Sequence, residues 1–175
     1  VEAWMNNAYF SARILDKNVK NIGVGHYVGG AYGSYWVVIF TYPANTNENA
    51  FAQQVLALVN KERTTRGLNS LELGDANLTA ATAQRAREIA EVNSHTRPDG
   101  SSCFTVLGQY NVTDEAVGEN AAWGEVSPEE VVTSWMNSTG HRDILLDPAA
   151  RKMSVACYYN ANSTYGTNWD MLVTK

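Results

Sequence analysis

The chain has 175 residues, of which 45% are hydrophobic, and a formal net charge of −5. This length suits one domain with a further segment attached, and a domain near 150 residues buries roughly 70% of its unfolded surface, enough for a core without crosslinks. The negative charge argues against nucleic acid or an anionic membrane as partner, since both need a basic face, and no apolar run approaches the ~18 residues of a transmembrane helix.

Residues 1–42 are predicted to form a short helical stretch followed by two strands. Trp4 and Met5 lie on the apolar side of the helix, and the apolar, aromatic runs 22–27 and 35–40 flank a glycine-rich turn. Residues 43–49 are polar and rich in turn formers, which predicts a linker. Residues 50–175 are therefore expected to form a domain of their own.

Two helices are predicted at the start of this domain. Phe51, Val55 and Val59 recur at helical spacing in the first. The second is rich in alanine, with Asp75 as a suitable N-cap, and runs to about Val92. Small side chains at this spacing allow a helix to pack closely on its neighbour.

A third helix and a hairpin are predicted towards the C-terminus. Residues 127–130 (SPEE) form a capping box with proline at the first helical position. The helix ends near a turn at Gly140, and a short second helix follows. Residues 153–159 and 168–174 then alternate as two antiparallel strands. Helices first and a hairpin last indicate a mixed, layered α+β domain.

The beginning of the chain resembles its end, which predicts an internal repeat of a partial unit. The first copy lacks the helices corresponding to residues 50–130. Its strands therefore need cover from the second module, another chain or further sequence, and we expect docking on residues 50–174 or exchange between chains in a domain-swapped or self-associated dimer. The paired positions are Val1 with Val132, Trp4 with Trp135, Met5 with Met136, Asn6 with Asn137, Leu15 with Leu146, Asp16 with Asp147, Val24 with Val155, Tyr27 with Tyr158, and, after a two-residue difference in loop length, Trp36 with Trp169.

Three residues are candidates for chemistry: His95, Glu119 and His141. Each lies where an ordered element is expected to meet a loop. Two imidazoles and a carboxylate that converge on one cleft can ligate zinc, or act as a base and its orienting partner. Spacing alone is weak evidence for such a site, because a histidine at a helix end is more often a capping residue and a glutamate in a glycine turn is usually an ordinary turn residue. Arg97 and Asp99 are expected to pair within their own loop.

The two cysteines, Cys103 and Cys157, leave two interpretations open. They can be buried thiols, as in a cytosolic protein. They can also form one disulfide that closes a long loop, as in an exported protein. Scarce lysine and abundant Asn, Thr, Ser and Tyr favour export, so Cys103 and Cys157 are a disulfide candidate.

Three ordered motifs resemble a known family: residues 95–100 (HTRPDG), 118–122 (GENAA) and 135–142 (WMNSTGHR). They are similar to the bacterial branch of the CAP superfamily, which groups cysteine-rich secretory proteins, antigen 5 and pathogenesis-related 1 proteins. The resemblance covers about residues 50–174. Residues 1–42 resemble the C-terminal third of a second such domain.

The resemblance implies an α+β fold, a three-layer α-β-α sandwich with a central antiparallel sheet. It also implies a cleft lined by two histidines, carried over to His95 and His141, and two acidic residues, one of which is Glu119. The second acid belongs at Ser138, where this chain has no carboxylate. That departure argues against a two-carboxylate mechanism. In the first copy Phe10 takes the place of His141, which predicts a chemically silent unit.

The resemblance implies a secreted, extracellular binding module that recognises a cell-wall component, a lipid or another protein. It also implies that zinc or another divalent metal can bind in the cleft, with His95 and His141 as its ligands and Glu119 as a further candidate. A hydrolase, metal-assisted or using a His/Glu pair against a peptide or ester, is the first alternative. The hydrolase is disfavoured because the sequence shows no motif for a Ser-His-Asp triad or a nucleophile elbow. A purely structural module, in which Glu119 bridges both histidines to fix packing, is the second.

Overall fold

The computed structural model describes residues 1–16, 19–41, 48–160 and 162–175. It divides into two compact units, Val1–Thr46 and Asn47–Lys175, which we call the N-terminal unit and the C-terminal module. Most of the linker predicted at 43–49 lies outside the described residues, and positions 48 and 49 already belong to the first helix of the module.

The N-terminal unit contains two short helices followed by an antiparallel hairpin. Asn7 caps the second helix, because its side chain accepts hydrogen bonds from the backbone N–H groups of Tyr9 and Phe10. The two strands cover the runs predicted from their apolar and aromatic content. The elements are α1 (Glu2–Met5), α2 (Ala8–Ile14), β1 (Asn21–Val28) and β2 (Ser34–Thr41).

The C-terminal module has five helices and four strands in its described residues. Its sheet has the order β3-β5-β6-β4, in which β6 pairs antiparallel with both β5 and β4, and the short β3 runs parallel to β5. The elements are α3 (Glu48–Thr64), β3 (Glu72–Leu73), α4 (Ala76–Val92), α5 (Thr105–Gln109), β4 (Ala116–Trp123), α6 (Pro128–Asn137), α7 (Thr139–Leu145), β5 (Lys152–Tyr159) and β6 (Thr167–Thr174).

Local capping signals set the helix starts, as the sequence predicts. The carboxylate of Asp75 accepts a hydrogen bond from the backbone N–H of Leu78 at 2.9 Å and begins α4. Ser127 accepts from the N–H of Glu130 at 3.2 Å and begins α6. The carboxylate of Glu130 reaches back to the N–H of Val126, one residue before the position a standard capping box would use.

Two apolar clusters, one on each face of the sheet, make the module a three-layer α-β-α sandwich. Helices α3 and α6 cover one face around buried Trp135 and Trp169, together with Val55, Val59, Val131, Val132, Leu145, Met153, Val155, Met171 and Val173. Helices α4 and α5 cover the other around Leu78, Ala81, Val106, Leu107 and Leu172. The predicted α+β sandwich is thus confirmed, with a sheet that is antiparallel apart from β3.

Two local expectations differ from the structure. Glu119 is expected where an ordered element meets a loop, yet it lies within β4 (residues 116–123), the edge strand beside β6. The break between α6 and α7 falls at Ser138, which has extended backbone angles, whereas Gly140 lies inside α7. Among the helices of the described ranges, none combines the length and apolarity required to span a bilayer.

The N-terminal unit repeats the lengths of the last elements of the module. Helices α2 and α7 each have 7 residues, and the four strands of the two hairpins each have 8. The pairing registers also correspond: Val24 faces Val38 in the first hairpin, and Val155 faces Met171 in the second. The burial differs, because every residue of β1 is exposed, whereas β6 is buried over nearly its whole length.

Candidate functional site

His95 reaches the site through the end of α4. Asn93 ends the helix in the left-handed conformation, with φ 42° and ψ 47°, a backbone region that asparagine tolerates better than most residues. The turn places the His95 ring against β4, where its Nδ1 lies 2.9 Å from Oε2 of Glu119. The side chain remains 54% exposed. Nδ1 of His95 is therefore fixed by Glu119, while the rest of the imidazole ring is accessible to a ligand.

Glu119 lies beneath His95 on β4, with its side chain almost fully buried. Its Oε1 accepts a hydrogen bond from Nε of Arg85 at 2.8 Å, and its Oε2 faces His95. Burial alone would raise the pKa of this carboxyl. Hydrogen bonds from groups that include His95 and Arg85 outweigh burial and lower the pKa to about 2. Glu119 is thus an ionised anchor with both oxygens engaged.

Asp170 on β6 is a second carboxyl beside Glu119, and none of the sequence motifs points to it. It is fully buried, and its pKa is raised well above the usual range, first by burial and then by the charge of Glu119. Burial and the neighbouring negative charge both favour the protonated form of the Asp170 carboxyl. The signal available in the sequence was an aspartate inside the apolar run of residues 168–174.

Arg85 neutralises the buried carboxylates, and it too was missed. Its side chain is fully buried in α4 and also donates from Nη1 to Glu88 at 2.6 Å and from Nη2 to the carbonyl oxygen of Ser94 at 3.1 Å. Glu88 in turn accepts from Arg97 at 2.6 Å. The result is a chain of alternating charges from the loop of His95, through α4, to the sheet.

The expected pairing of Arg97 with Asp99 is replaced by this longer-range contact. Arg97 donates to Glu88 through both Nε and Nη2. Asp99 instead accepts from the N–H and the hydroxyl of Ser101 within its own loop. Arg97 therefore ties the loop of His95 to α4.

His141 lies on α7 and completes the group. The two imidazole ring centroids are 6.5 Å apart. Burial lowers the pKa of His141, and a positive charge on His95 lowers it further, while the hydrogen bond to Glu119 raises the pKa of His95 against the effect of burial. The structure thus brings together all three residues singled out in the sequence. The pair has one imidazole that favours the charged form and one that favours the neutral form.

The side of the cleft where a second acid was expected differs from that expectation. Ser138 forms the junction between α6 and α7 and makes no side-chain cap bond there. The carboxylate whose charge acts on His141 is Glu125, and its effect is smaller than that of burial. The acid that accompanies Glu119 is instead Asp170, behind it within the sheet.

The donor set is a poor match for a zinc site that includes Glu119. Zinc in proteins usually has at least three protein ligands. Both Glu119 oxygens are taken by Arg85 and His95, and the guanidinium charge lies 2.8 Å away, which disfavours a divalent cation at that carboxylate. Among the described residues no group of three or more His, Cys, Asp or Glu side chains is arranged to hold a metal ion. His95 and His141 alone remain as candidate ligands.

The predicted disulfide is not formed: Cys103 and Cys157 are separate thiols. Cys103 is buried and hydrogen-bonded to Glu119, and burial is the main reason that its pKa rises to about 12. Cys157 on β5 packs instead with the cluster of Trp135 and Trp169 on the other side of the sheet. The two cysteines belong to opposite layers, so the sheet separates them.

Comparison with known proteins places these features in a family context. The model for the family described as "CAP: Cysteine-rich secretory protein family" matches residues 56–173. The uncharacterized protein YkwD of Bacillus subtilis strain 168 is 34% identical over 110 residues, which make up 62% of this chain and 42% of that protein. The chain therefore spans less than half the length of this relative.

Two solved structures with the same fold are bacterial proteins. An extracellular protein containing an SCP domain, from Bacillus anthracis, aligns with a TM-score of 0.63 and 22% identity over 80% of this chain and 47% of that one. An outer surface protein of Borrelia burgdorferi aligns with a TM-score of 0.64 and 20% identity over 74% of this chain and 95% of that one. Identities of 20% and 22% show a shared fold and nothing further.

Proposed function

Because the chain belongs to the cysteine-rich secretory protein (CAP) family, we propose that its C-terminal module is an extracellular binding module whose ligand contacts His95 and His141. Two of the similar structures are described as an extracellular protein and an outer surface protein, which supports a location outside the cell. We favour a cell-wall component as the ligand class, because cell walls lie outside the cell, where an extracellular protein acts.

One observation carries the proposal: His95 is fixed through Nδ1 on a buried carboxylate while its side chain is 54% exposed. Since Glu119 raises the pKa of His95, the ring is charged over a wider pH range than a free imidazole, and its Nε2–H can donate to a ligand oxygen. The ring of His141, whose centroid lies 6.5 Å from that of His95, offers a second polar contact. The pair suits a ligand that bears carbonyl or anionic oxygens.

The same geometry disfavours a hydrolase in which Glu119 is the general base. A general base works best when its pKa lies near the operating pH. The pKa of Glu119 is about 2, and both of its oxygens already accept hydrogen bonds from Arg85 and His95. Glu119 is therefore a weak base with no oxygen to spare, and its role is to orient His95.

The direct test is co-sedimentation of the full chain with purified bacterial cell walls. We expect the double variant His95→Ala/His141→Ala to lose most of the binding while it remains folded, as circular dichroism would show. His26→Ala is the matched control, because His26 is an exposed histidine of the N-terminal unit, stacked on Trp36. Equal sedimentation of the double variant and the control would contradict the proposal.

Two further readouts separate the alternatives. Turnover in a protease and esterase screen that disappears in the double variant would favour a hydrolase. Loss of stability in the double variant, with wall binding unchanged, would favour a structural role.

For the metal, we expect two imidazoles to hold zinc only weakly, so metal analysis after dialysis should find well under one equivalent in the wild type. A full equivalent retained by the double variant would place a metal outside this cleft.

For residues 1–42, we propose that they are the C-terminal part of a second CAP-like unit. The support is the agreement in element order, element length and strand register between the N-terminal unit and residues 132–174. Phe10 occupies the position of His141, so this partial unit has no imidazole at that position.

A further inference from the structure

The N-terminal unit contains an apolar groove of about 590 Å³ between its helices and one face of its hairpin. The side chains that line it are almost all large and apolar. Contiguous apolar surface of this kind normally marks an interaction site. The lining residues are Val1, Ala3, Trp4, Ile14, Ile22, Val24, Trp36, Val38 and Phe40.

The internal repeat identifies what such a surface is shaped to hold. Apart from Ala3, each lining residue corresponds to a buried residue of the cluster formed by α3, α6, α7 and the β5–β6 hairpin in the C-terminal module. Trp36 is 57% exposed, whereas Trp169 at the corresponding position is 1% exposed. Val24 is 59% exposed, whereas Val155 is 5% exposed. The same set of side chains is therefore open in one unit and covered in the other.

In the C-terminal module, α3 provides that cover. Val55 and Val59 are fully buried against the sheet, and Phe51 meets the Trp169 ring edge-on at 6.0 Å between centroids. These three residues lie four apart, on one face of the helix. In the described residues of the N-terminal unit the order is α1, α2, β1, β2, and none of these elements covers the hairpin as α3 covers β5 and β6.

From this correspondence, which rests on the proposal that residues 1–42 are a partial CAP-like unit, we infer that the groove is a docking site for one amphipathic α-helix. The occupant carries large apolar side chains at positions i, i+4 and i+8, as α3 does, and inserts them against Val24, Val38 and Trp36. The N-terminal unit is thus an acceptor for a helix of the α3 type.

The test uses the full chain and a fluorescein-labelled peptide of residues 48–66, with binding followed by fluorescence anisotropy. We expect saturable 1:1 binding and a blue shift of tryptophan emission as Trp4 and Trp36 lose water. A control peptide carrying Val55→Asp and Val59→Asp should bind at least tenfold more weakly. This comparison leaves the protein itself unchanged.

Matched protein variants locate the binding site. Val38→Asp places a charge in the groove, whereas Val37→Asp places it on the opposite face of β2, where Val37 is 58% exposed and does not line the groove. We expect the first to abolish peptide binding and the second to preserve it. Circular dichroism of both variants checks that the hairpin is retained.

Three results would overturn the inference. The first is absence of saturable binding by a monomeric chain. The second is binding that Val38→Asp and Val37→Asp weaken equally, as expected if the peptide displaces α3 from the C-terminal module. The third is a chain that sediments as a dimer, refuses the peptide and becomes monomeric in Val38→Asp, since a second copy would then cover the groove. The cell-wall assay with the His95 and His141 variants tests the C-terminal module alone. Failure of the cell-wall proposal can therefore be distinguished from failure of the helix-docking proposal.

Discussion

Glu119→Gln tests the electrostatic account of the site most directly. The substitution keeps the size of the side chain and removes its charge, so Arg85 stays buried with Glu88 as its remaining carboxylate partner. Removing one partner of a buried ion pair costs about 3–5 kcal/mol. Independently, lowering the pKa of Glu119 from its usual 4.5 to about 2 corresponds to about 3 kcal/mol at 1.36 kcal/mol per tenfold change.

We therefore expect Glu119→Gln to reduce the free energy of unfolding at pH 7 by about 3 kcal/mol, which lowers the Tm by roughly 6–12 °C in a protein of this size. The matched control is Glu115→Gln. That carboxylate pairs with Lys175 at 3.0 Å but is 74% exposed, and such surface pairs contribute under about 1 kcal/mol. Both variants retain the same N-terminal unit, so the difference between them reports on the site.

A second observable distinguishes a charge effect from general loosening. Without the carboxylate, the pKa of His95 should fall, because the hydrogen bond to Glu119 is the main cause that raises it. Titration of the His95 ring by NMR measures this shift. An unchanged His95 pKa, or a Glu119→Gln stability within about 0.5 kcal/mol of the Glu115→Gln control, would refute the reasoning.

Two further predictions follow from pH and from packing. Because the pKa of His95 is raised in the folded state, its pairing with Glu119 stabilises the fold fully below about pH 6.5, and this stabilisation is lost as the pH rises through the folded-state pKa. The difference in free energy of unfolding between wild type and His95→Gln, measured by denaturation, should therefore narrow from pH 5.5 to 8.5. A constant difference would contradict this prediction. Gly118→Ala would place its Cβ 2.6 Å from Ile144 and should cost about 1–3 kcal/mol, whereas Gly108→Ala, with nothing within 4 Å, should not destabilise in the same measurement.

The sequence predicts best what neighbouring residues determine. Asp75 and residues 127–130 begin their helices as expected, because a cap depends on a side chain and an N–H within three residues. The two strands predicted at 153–159 and 168–174 also lie within one residue of the bounds of β5 and β6. These local signals, together with the three family motifs, account for the sandwich and for the meeting of His95 and His141.

The buried charge network could not be read in the same way. Arg85 lies in an alanine-rich helix where a charged residue usually faces water, and its partner Glu119 is 34 residues away on a different element. Residues 116–123 contain few strong strand formers, so their pairing with β6 overrides local preference. Long-range pairing of this kind becomes visible only when the helix, the loop and the strand are placed together.

The alternating contacts among Arg97, Glu88, Arg85 and Glu119 have a consequence for recognition. A ligand that enters the cleft meets an imidazole whose orientation is already set, so little side-chain freedom is lost there on association. Pre-organisation of this sort improves the lifetime of a complex more than the speed of encounter. Ligands that differ in how well they use His95 should therefore differ chiefly in how long they stay bound.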